Sequence, residues 1–159
     1  MQHVFIIGSR GLPAKYGGFE TFVEELVSHQ QSDQIKYHVA NLSKDASGKH
    51  SDYKTADVFD IKARHFGPAN VIFYDRDAIN YALSYIRKNK IANPILYVLG
   101  NTLGAFIGHY AKKIHKIGGK LLVNPDGLDW IRSKWIEQIQ MYLNVSAPKL
   151  VKIADLSIE

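Results

Sequence analysis

The sequence predicts an α/β fold, an open parallel sheet with helices on both faces. Three observations lead there. Runs such as Val4-Phe5-Ile6-Ile7 and Ile95-Leu96-Tyr97-Val98-Leu99 are apolar without alternation, as befits central strands covered on both sides. Between such runs lie segments whose apolar residues recur every three to four positions, the period of a helix with one buried face. Glycine-rich breaks separate the two kinds of segment. Strands alternating with helices imply a parallel sheet built with right-handed crossovers.

The first strand covers residues 3–7. A glycine-rich loop then leads into a helix over residues 18–31, whose apolar face is Phe19, Phe22, Val23, Leu26 and Val27. Glu20, Glu24 and Glu25 lie in its first two turns, where acidic groups suit the positive end of the helix dipole. Residues 37–41 form a second strand, and residues 41–52 read as a polar, exposed loop. A third, less buried strand spans residues 58–61. Gly67-Pro68-Ala69-Asn70 breaks the chain before a helix that runs to residue 89 and buries Ile72, Ile79, Ala82, Leu83 and Ile86. The opening of that helix, Val71-Ile72-Phe73-Tyr74, is equally compatible with extended chain.

Pro94 opens the fourth strand, residues 95–99. Gly100-Asn101-Thr102 turns sharply into a helix reaching residue 117, in which Gly104 and Gly108 are spaced to let one side approach the sheet. Gly118-Gly119 ends it. Residues 120–123 are the fifth strand, 124–129 a loop, 130–145 a helix, 148–155 a short helix and 156–158 the start of a sixth strand. The expected order is Rossmann-like, 3-2-1-4-5-6, which places the loops after the first, fourth and fifth strands on one rim. The first and fifth of these loops start roughly 10 Å apart, two strand spacings, so one small ligand reaches both.

A chain of 159 residues suffices for one domain with a real core. Its formal charge of +5 and pI near 9.3 suit anionic partners: phosphorylated ligands, an acidic membrane surface or nucleic acid. Nucleic acid rests on charge alone and ranks last. The absence of cysteine excludes disulfides, thiolate chemistry and cysteine zinc sites, and fits a reducing, cytoplasmic setting. No apolar run approaches the roughly 20 residues that span a bilayer. The chain stops at Glu159 just inside a strand, so we expect a piece of a longer protein.

The common nucleotide motifs fail on spacing. After Gly8, the next glycines are Gly11 and then Gly17, which does not fit G-x-G-x-x-G, and Asn41 stands where an acidic residue would close the second strand. Gly48-Lys49 and Gly119-Lys120 lack the rest of a phosphate-binding loop. No tyrosine has the lysine partner of a short-chain dehydrogenase. His109 and His115 lack the spacing of a helical zinc pair.

Two features remain. Gly17 and Gly18 open a helix, where bare amides and the dipole suit a phosphate, or where they form only a flexible turn and N-cap. Arg10 and Lys15 either add charge for an anion or are simply solvated. Glu20 either orients a ligand hydroxyl or caps the first turn. The second feature is Asn124-Pro125-Asp126-Gly127-Leu128-Asp129-Trp130, which aims Asp126 at the crevice or forms an ordinary Asp-Gly turn. Arg132, Lys134 and Trp135 follow, suited to a sugar or phosphate or to packing the helix down. Tyr110, Lys112, Lys113, His115 and Lys116 make a basic helix face, solvated or set against a membrane surface.

The two stretches together, residues 8–22 and 124–135, resemble the N-terminal domain of bacterial family 4 glycosyltransferases. The likeness covers the whole chain and is greatest to the rhamnosyltransferase-like enzymes of capsule and cell-wall polysaccharide synthesis. The resemblance implies one half of a GT-B fold: an acceptor-side domain, with most of the donor site on a C-terminal domain absent here. It implies a retaining, metal-independent transfer without a cofactor. The donor would be a nucleotide sugar, dTDP-L-rhamnose, and the acceptor a saccharide on polyprenyl diphosphate at the cytoplasmic face of the membrane. Gly17 and Gly18 match the loop that faces the donor diphosphate. Asp126 falls where many relatives place a histidine, Gly127 completes the Asp-Gly form of the subgroup, and Arg132 follows. The competing readings are a non-catalytic nucleotide- or phosphate-binding Rossmann-like module and, behind it, a sugar-nucleotide oxidoreductase.

Overall fold

A computed structural model of the chain describes residues 1–15, 17–45, 47–125 and 137–158. The elements are β1 (Gln2–Ile7), α1 (Gly18–Ser28), β2 (Ile35–Ser43), β3 (His50–Tyr53), β4 (Ala56–Lys62), α2 (Asn70–Lys88), β5 (Ile95–Leu99), α3 (Ile107–His115), β6 (Lys120–Asn124), α4 (Glu137–Ile153) and β7 (Leu156–Ser157). A single 3-10 turn, Gly67–Ala69, precedes α2. The strands form one sheet in the order β3-β4-β2-β1-β5-β6-β7. All neighbours are parallel except β3 and β4, which pair as an antiparallel hairpin. With β3 set aside, the expected order holds.

The two faces follow from the strand period of two. Phe5 and Ile7 point to one side, where they meet Phe59, Ile61, Leu96, Val98, Leu121 and Val123 beneath α2, α3 and Leu150 of α4. Ile6 points to the other, with Val39, Val58, Tyr97 and Leu99 beneath Val23 and Val27 of α1. Both faces are thus covered, and the uniform apolarity of β1 and β5 is accounted for.

Several expectations need correction. The loop expected over residues 41–52 contains β3, and β2 continues to Ser43. This edge strand has an exposed polar run, His-Ser-Asp, and is held by hairpin pairing rather than by burial. Helix α1 ends at Ser28, and its Phe22 is 39% exposed instead of buried. Ile72 is only half-buried, and residues 71–74 are helical. After Gly100 the chain makes further turns before α3 begins at Ile107. The two expected C-terminal helices are one over the described range, since α4 runs through Pro148. Ser146 and Leu150 stay buried on either side of that proline, which is itself exposed, and Ala154 packs half-buried just after the helix. Residues 130–136 lie outside the described residues.

Gly104 and Gly108 also face a different partner. A Cβ on Gly104 would overlap the backbone of Ser146, and one on Gly108 would meet Ile153 Cδ1 at 3.5 Å. Their bare side receives α4, not the sheet. Tyr110, expected on the basic face of α3, is buried, whereas Lys112, His115 and Lys116 are exposed.

Candidate functional site

The loop after β1 owes its glycines to crowding. Gly8 has φ 105°, and a Cβ there would fall on the carbonyl oxygen of Leu99 at the end of β5. Gly11 has φ 113°, and a Cβ there would fall on the Asn41 side chain of β2. The loop is therefore wedged between the ends of the two strands that flank β1. Leu42 N–H donates to Arg10 O at 3.0 Å, which fastens it further. These needs for close backbone approach set the glycine spacing, and no dinucleotide fingerprint results.

Gly17 and Gly18 stand where this loop enters α1. Gly17, at φ 109° and ψ 156°, is the N-cap, and as a glycine it has no side chain with which to cap the helix. A Cβ on Gly17 would strike Glu20 Oε2, whereas a Cβ on Gly18 would meet nothing within 4 Å. Gly18 thus borders the open cleft at the positive end of the helix dipole, the usual setting for a bound anion. Glu20 is buried, and its Oε1 accepts the Arg10 backbone N–H at 2.8 Å. Its carboxylate braces the loop from beneath.

The rim holds an open cleft of about 840 Å³. Gly8, Arg10, Gly17 and Gly18 form one wall, together with Phe19, Glu20 and Phe22. Leu99-Gly100-Asn101-Thr102 and Asn124, at the ends of β5 and β6, form a second. A third comes from Gly67, Pro68 and Asn70 and from Val71, Tyr74 and Asp75 of α2. The loops after the first, fourth and fifth expected strands therefore do share one rim. The Gly100 N–H donates to Asn124 O at 2.8 Å, tying the last two together.

Of the candidate residues, the cleft gathers Arg10, Gly17, Gly18 and Glu20. Lys15 is exposed and is not part of the lining. Asp126, Gly127 and Arg132 lie outside the described residues, as do Trp130, Lys134 and Trp135.

Sequence reasoning missed Asp75. It sits on the buried face of α2 with Ala78, Ile79, Ala82 and Ile86, and it is 2% exposed. Its Oδ2 accepts a hydrogen bond from Thr102 Oγ1. Among the described residues, its Oδ1 has no hydrogen-bond partner. Burial pushes the carboxyl up to about 7, with the Thr102 bond and the Arg10 charge pulling the other way. Its neighbour Tyr74 donates its hydroxyl to Ser9 O at 2.8 Å, and burial pushes that phenol well above its ordinary value. The signal for Asp75 was present in the sequence. A carboxylate four residues before Ile79 and seven before Ala82 lies on the helix face that those residues bury.

Comparison with known proteins fits this architecture. A sucrose-phosphate synthase from Thermosynechococcus elongatus superposes with a TM-score of 0.70 at 13% identity, over 99% of this chain and 42% of the synthase. A trehalose-6-phosphate protein from E. coli bound with UDP-2-fluoro glucose aligns with a TM-score of 0.49 at 9% identity, over 99% of this chain and 39% of that one. An α,α-trehalose 6-phosphate synthase from Burkholderia multivorans gives 0.49 at 12% identity, over 98% and 39%. At such identities the likeness to the sucrose-phosphate synthase is one of fold. The domain is a Rossmann-like half of the GT-B type, and it spans less than half of that synthase. No curated protein matches the chain in sequence. Over its full length, residues 1–159, the chain belongs to the family described as Domain of unknown function (DUF1972).

Proposed function

We propose that this chain is the acceptor-side domain of a retaining glycosyltransferase. The observation that carries the reading is the N-terminus of α1, where the glycine N-cap Gly17 and its neighbour Gly18 line the cleft. A sugar diphosphate leaving group gains negative charge as the glycosidic bond breaks. Backbone amides fixed at a helix terminus stabilise that charge without reorganising. A second domain, the donor-binding half of a GT-B pair, closes over the cleft and brings the diphosphate to these amides. The GT-B type of fold supports this division, as does a cleft that is open rather than enclosed.

The donor in this reading is dTDP-L-rhamnose, and the acceptor is a saccharide carried on polyprenyl diphosphate. Both assignments rest on the likeness of residues 8–22 and 124–135 to rhamnosyltransferases of polysaccharide synthesis. Asp126 positions donor or acceptor hydroxyls, and Arg132 adds charge nearby. Transfer takes place at the cytoplasmic face of the membrane, where the net charge of +5 favours contact with acidic lipids.

The test is transfer of labelled L-rhamnose from dTDP-L-rhamnose to a polyprenyl-diphosphate saccharide. It is run on the 159-residue chain and on the same chain joined to its donor domain. Turnover is expected only with both domains. Turnover by the 159-residue chain alone overturns the division of labour. Tight binding of NAD(P) by this chain in calorimetry would favour an oxidoreductase instead.

A further inference from the structure

Asp75 is costly where it stands. A buried carboxyl group ordinarily satisfies both oxygens, because an unpaired buried polar atom forfeits its hydration. Here Thr102 meets Oδ2 only. The residue nevertheless forms part of the cleft lining, between Tyr74 of α2 and the Gly100-Asn101-Thr102 turn. The protein holds it firmly there. Tyr74 pins α2 to the β1 loop through Ser9 O. Thr102 is held from its other side, since Tyr142 of α4 donates its hydroxyl to Thr102 O at 2.7 Å. A hydrogen-bond acceptor left unpaired among the described residues at the edge of a cleft, and shut off from solvent there, is suited to a ligand donor that reaches it as the cleft fills.

We infer that Asp75 is a sugar-binding residue, whose Oδ1 accepts a hydroxyl of a saccharide bound in the cleft. The inference rests on the glycosyltransferase reading for the class of ligand, and it adds a recognition residue on α2 to that reading. The cleft then has two chemistries. The α1 amides and Arg10 meet phosphate, and Asp75 with Thr102 meets a hydroxyl from the α2 wall. A neutral hydroxyl suits this position better than a second anion, which the carboxylate would repel. The hydroxyl belongs either to the transferred sugar or to the acceptor saccharide.

Hydroxyl donation favours the ionised carboxylate, so sugar binding lowers the pH at which Asp75 titrates. The titratable groups facing Asp75 are Arg10 from the β1 loop, Tyr74 beside it and Tyr142 from α4, with Glu20 and Asp60 beyond Tyr74. Burial pushes both tyrosines up, away from the range in which Asp75 titrates, and carbon-13 detection at the Asp75 carboxyl separates it from the other carboxyl groups.

The experiment titrates the 159-residue chain with three probes: inorganic phosphate, methyl α-D-glucopyranoside and α-D-glucose 1-phosphate. Binding is read from amide shifts, and Asp75 is followed by its carboxyl carbon. The expected result is that glucose 1-phosphate binds more tightly than phosphate and lowers the Asp75 midpoint. Asp75→Asn should reduce that affinity by roughly tenfold or more, the usual loss for a hydrogen bond to a charged group, and leave phosphate binding unchanged. A shift of the Asp75 midpoint with the methyl glycoside as well assigns the hydroxyl to the acceptor; a shift with glucose 1-phosphate alone assigns it to the transferred sugar. If phosphate binds and neither sugar moves Asp75, the inference falls and the glycosyltransferase reading survives. If none of the probes binds, the inference falls, and the transfer assay with both domains decides the glycosyltransferase reading. Thr102→Val, which leaves Asp75 intact, guards against an unstable Asn variant; it should weaken the sugar phosphate while sparing phosphate.

Discussion

Replacing Gly104 by alanine should destabilise the domain, against the usual direction of such a change. Gly104 lies in the turn after β5, and α4 crosses it with Ser146 facing down. An alanine Cβ would stand 2.5 Å from the Ser146 Cβ, and closer still to its carbonyl carbon and oxygen. Non-bonded carbons rest at about 3.5–4.0 Å, so α4 must withdraw by roughly 1 Å or more. The obstacle is backbone and cannot rotate away. Withdrawal loosens Ser146 and Leu150, which are 1% and 0% exposed, and strains the Tyr142 bond to Thr102 O. Overpacking of this kind costs about 1–3 kcal/mol, of which the lower unfolded-state entropy of alanine offsets about 0.4–1 kcal/mol. The net loss is about 1–2 kcal/mol, which in a domain of this size lowers Tm by roughly 3–8 °C.

Gly108→Ala is the matched control. Among the described residues its Cβ would meet only Ile153 Cδ1 of α4, at 3.5 Å, an ordinary contact. There the helix preference of alanine should prevail and stabilise by about 0.5–1 kcal/mol. Thermal unfolding followed by circular dichroism, with urea midpoints at constant slope, reads both variants. The reasoning is refuted if Gly104→Ala is as stable as the parent, because α4 would then not be seated on the turn that carries Thr102.

Three other outcomes follow from the same structure. Gly8→Ala forces a side chain at φ 105° onto Leu99 O, so it should cost about 2–3 kcal/mol and lower the urea midpoint. At the opposite rim, His38 and His50 each hold Asp57 at 2.7 Å, and His3 Nδ1 lies 2.9 Å from His38 Nε2. With His38 Nδ1 donating to Asp57, its Nε2 is free to accept from a neutral His3, so the chain is satisfied without protonating His3. Burial, then the nearby His38, holds His3 below its ordinary value, and its contribution to stability is full above pH 6.5 and lost as pH falls through the lowered value. Urea midpoints should therefore drop between pH 7.5 and 5, and His3→Gln should flatten the drop. Asp57 is held low because the bonds from His38 and His50 outweigh its burial, so its share disappears only below about pH 4. Asp57→Ala removes the partner of both histidines and should cost about 3 kcal/mol by denaturation at pH 7.

Much of the scaffold was readable because its signals are local. The apolar runs of β1 and β5 and the period of α2 state their elements outright. The rim followed from strand order, and Gly17 and Gly18 from their place before a helix. Other features depend on contacts distant in sequence. Strand β3 has no apolar pattern and exists through pairing with β4. Pro148 argued for two helices, yet the burial of Ser146 and Leu150 carries α4 through it. Gly104 was legible as a site of close approach, but the partner, α4, was not. Asp75 was hidden differently: its periodicity placed it on the buried face, while its type argued for solvent. That conflict between position and chemistry is what singles it out. The stretch containing Asp126, Gly127 and Arg132 remains an expectation from the sequence, outside the described residues.

The central claim is that the N-terminus of α1 is the wall that meets a nucleotide diphosphate. Gly18 allows a direct test, since a side chain there would meet nothing within 4 Å and its φ is not positive. Gly18→Asp should leave the fold intact, and a negative charge there even suits the helix dipole, but it should repel a diphosphate. The measurement is a titration of the chain with thymidine diphosphate, followed at the backbone amides. The account predicts saturable shifts at Gly17, Gly18 and Phe19, with affinity reduced by roughly tenfold or more in Gly18→Asp, about what a 1.4 kcal/mol loss gives. Unmoved amides at these three residues, or equal affinity in the variant, would contradict it.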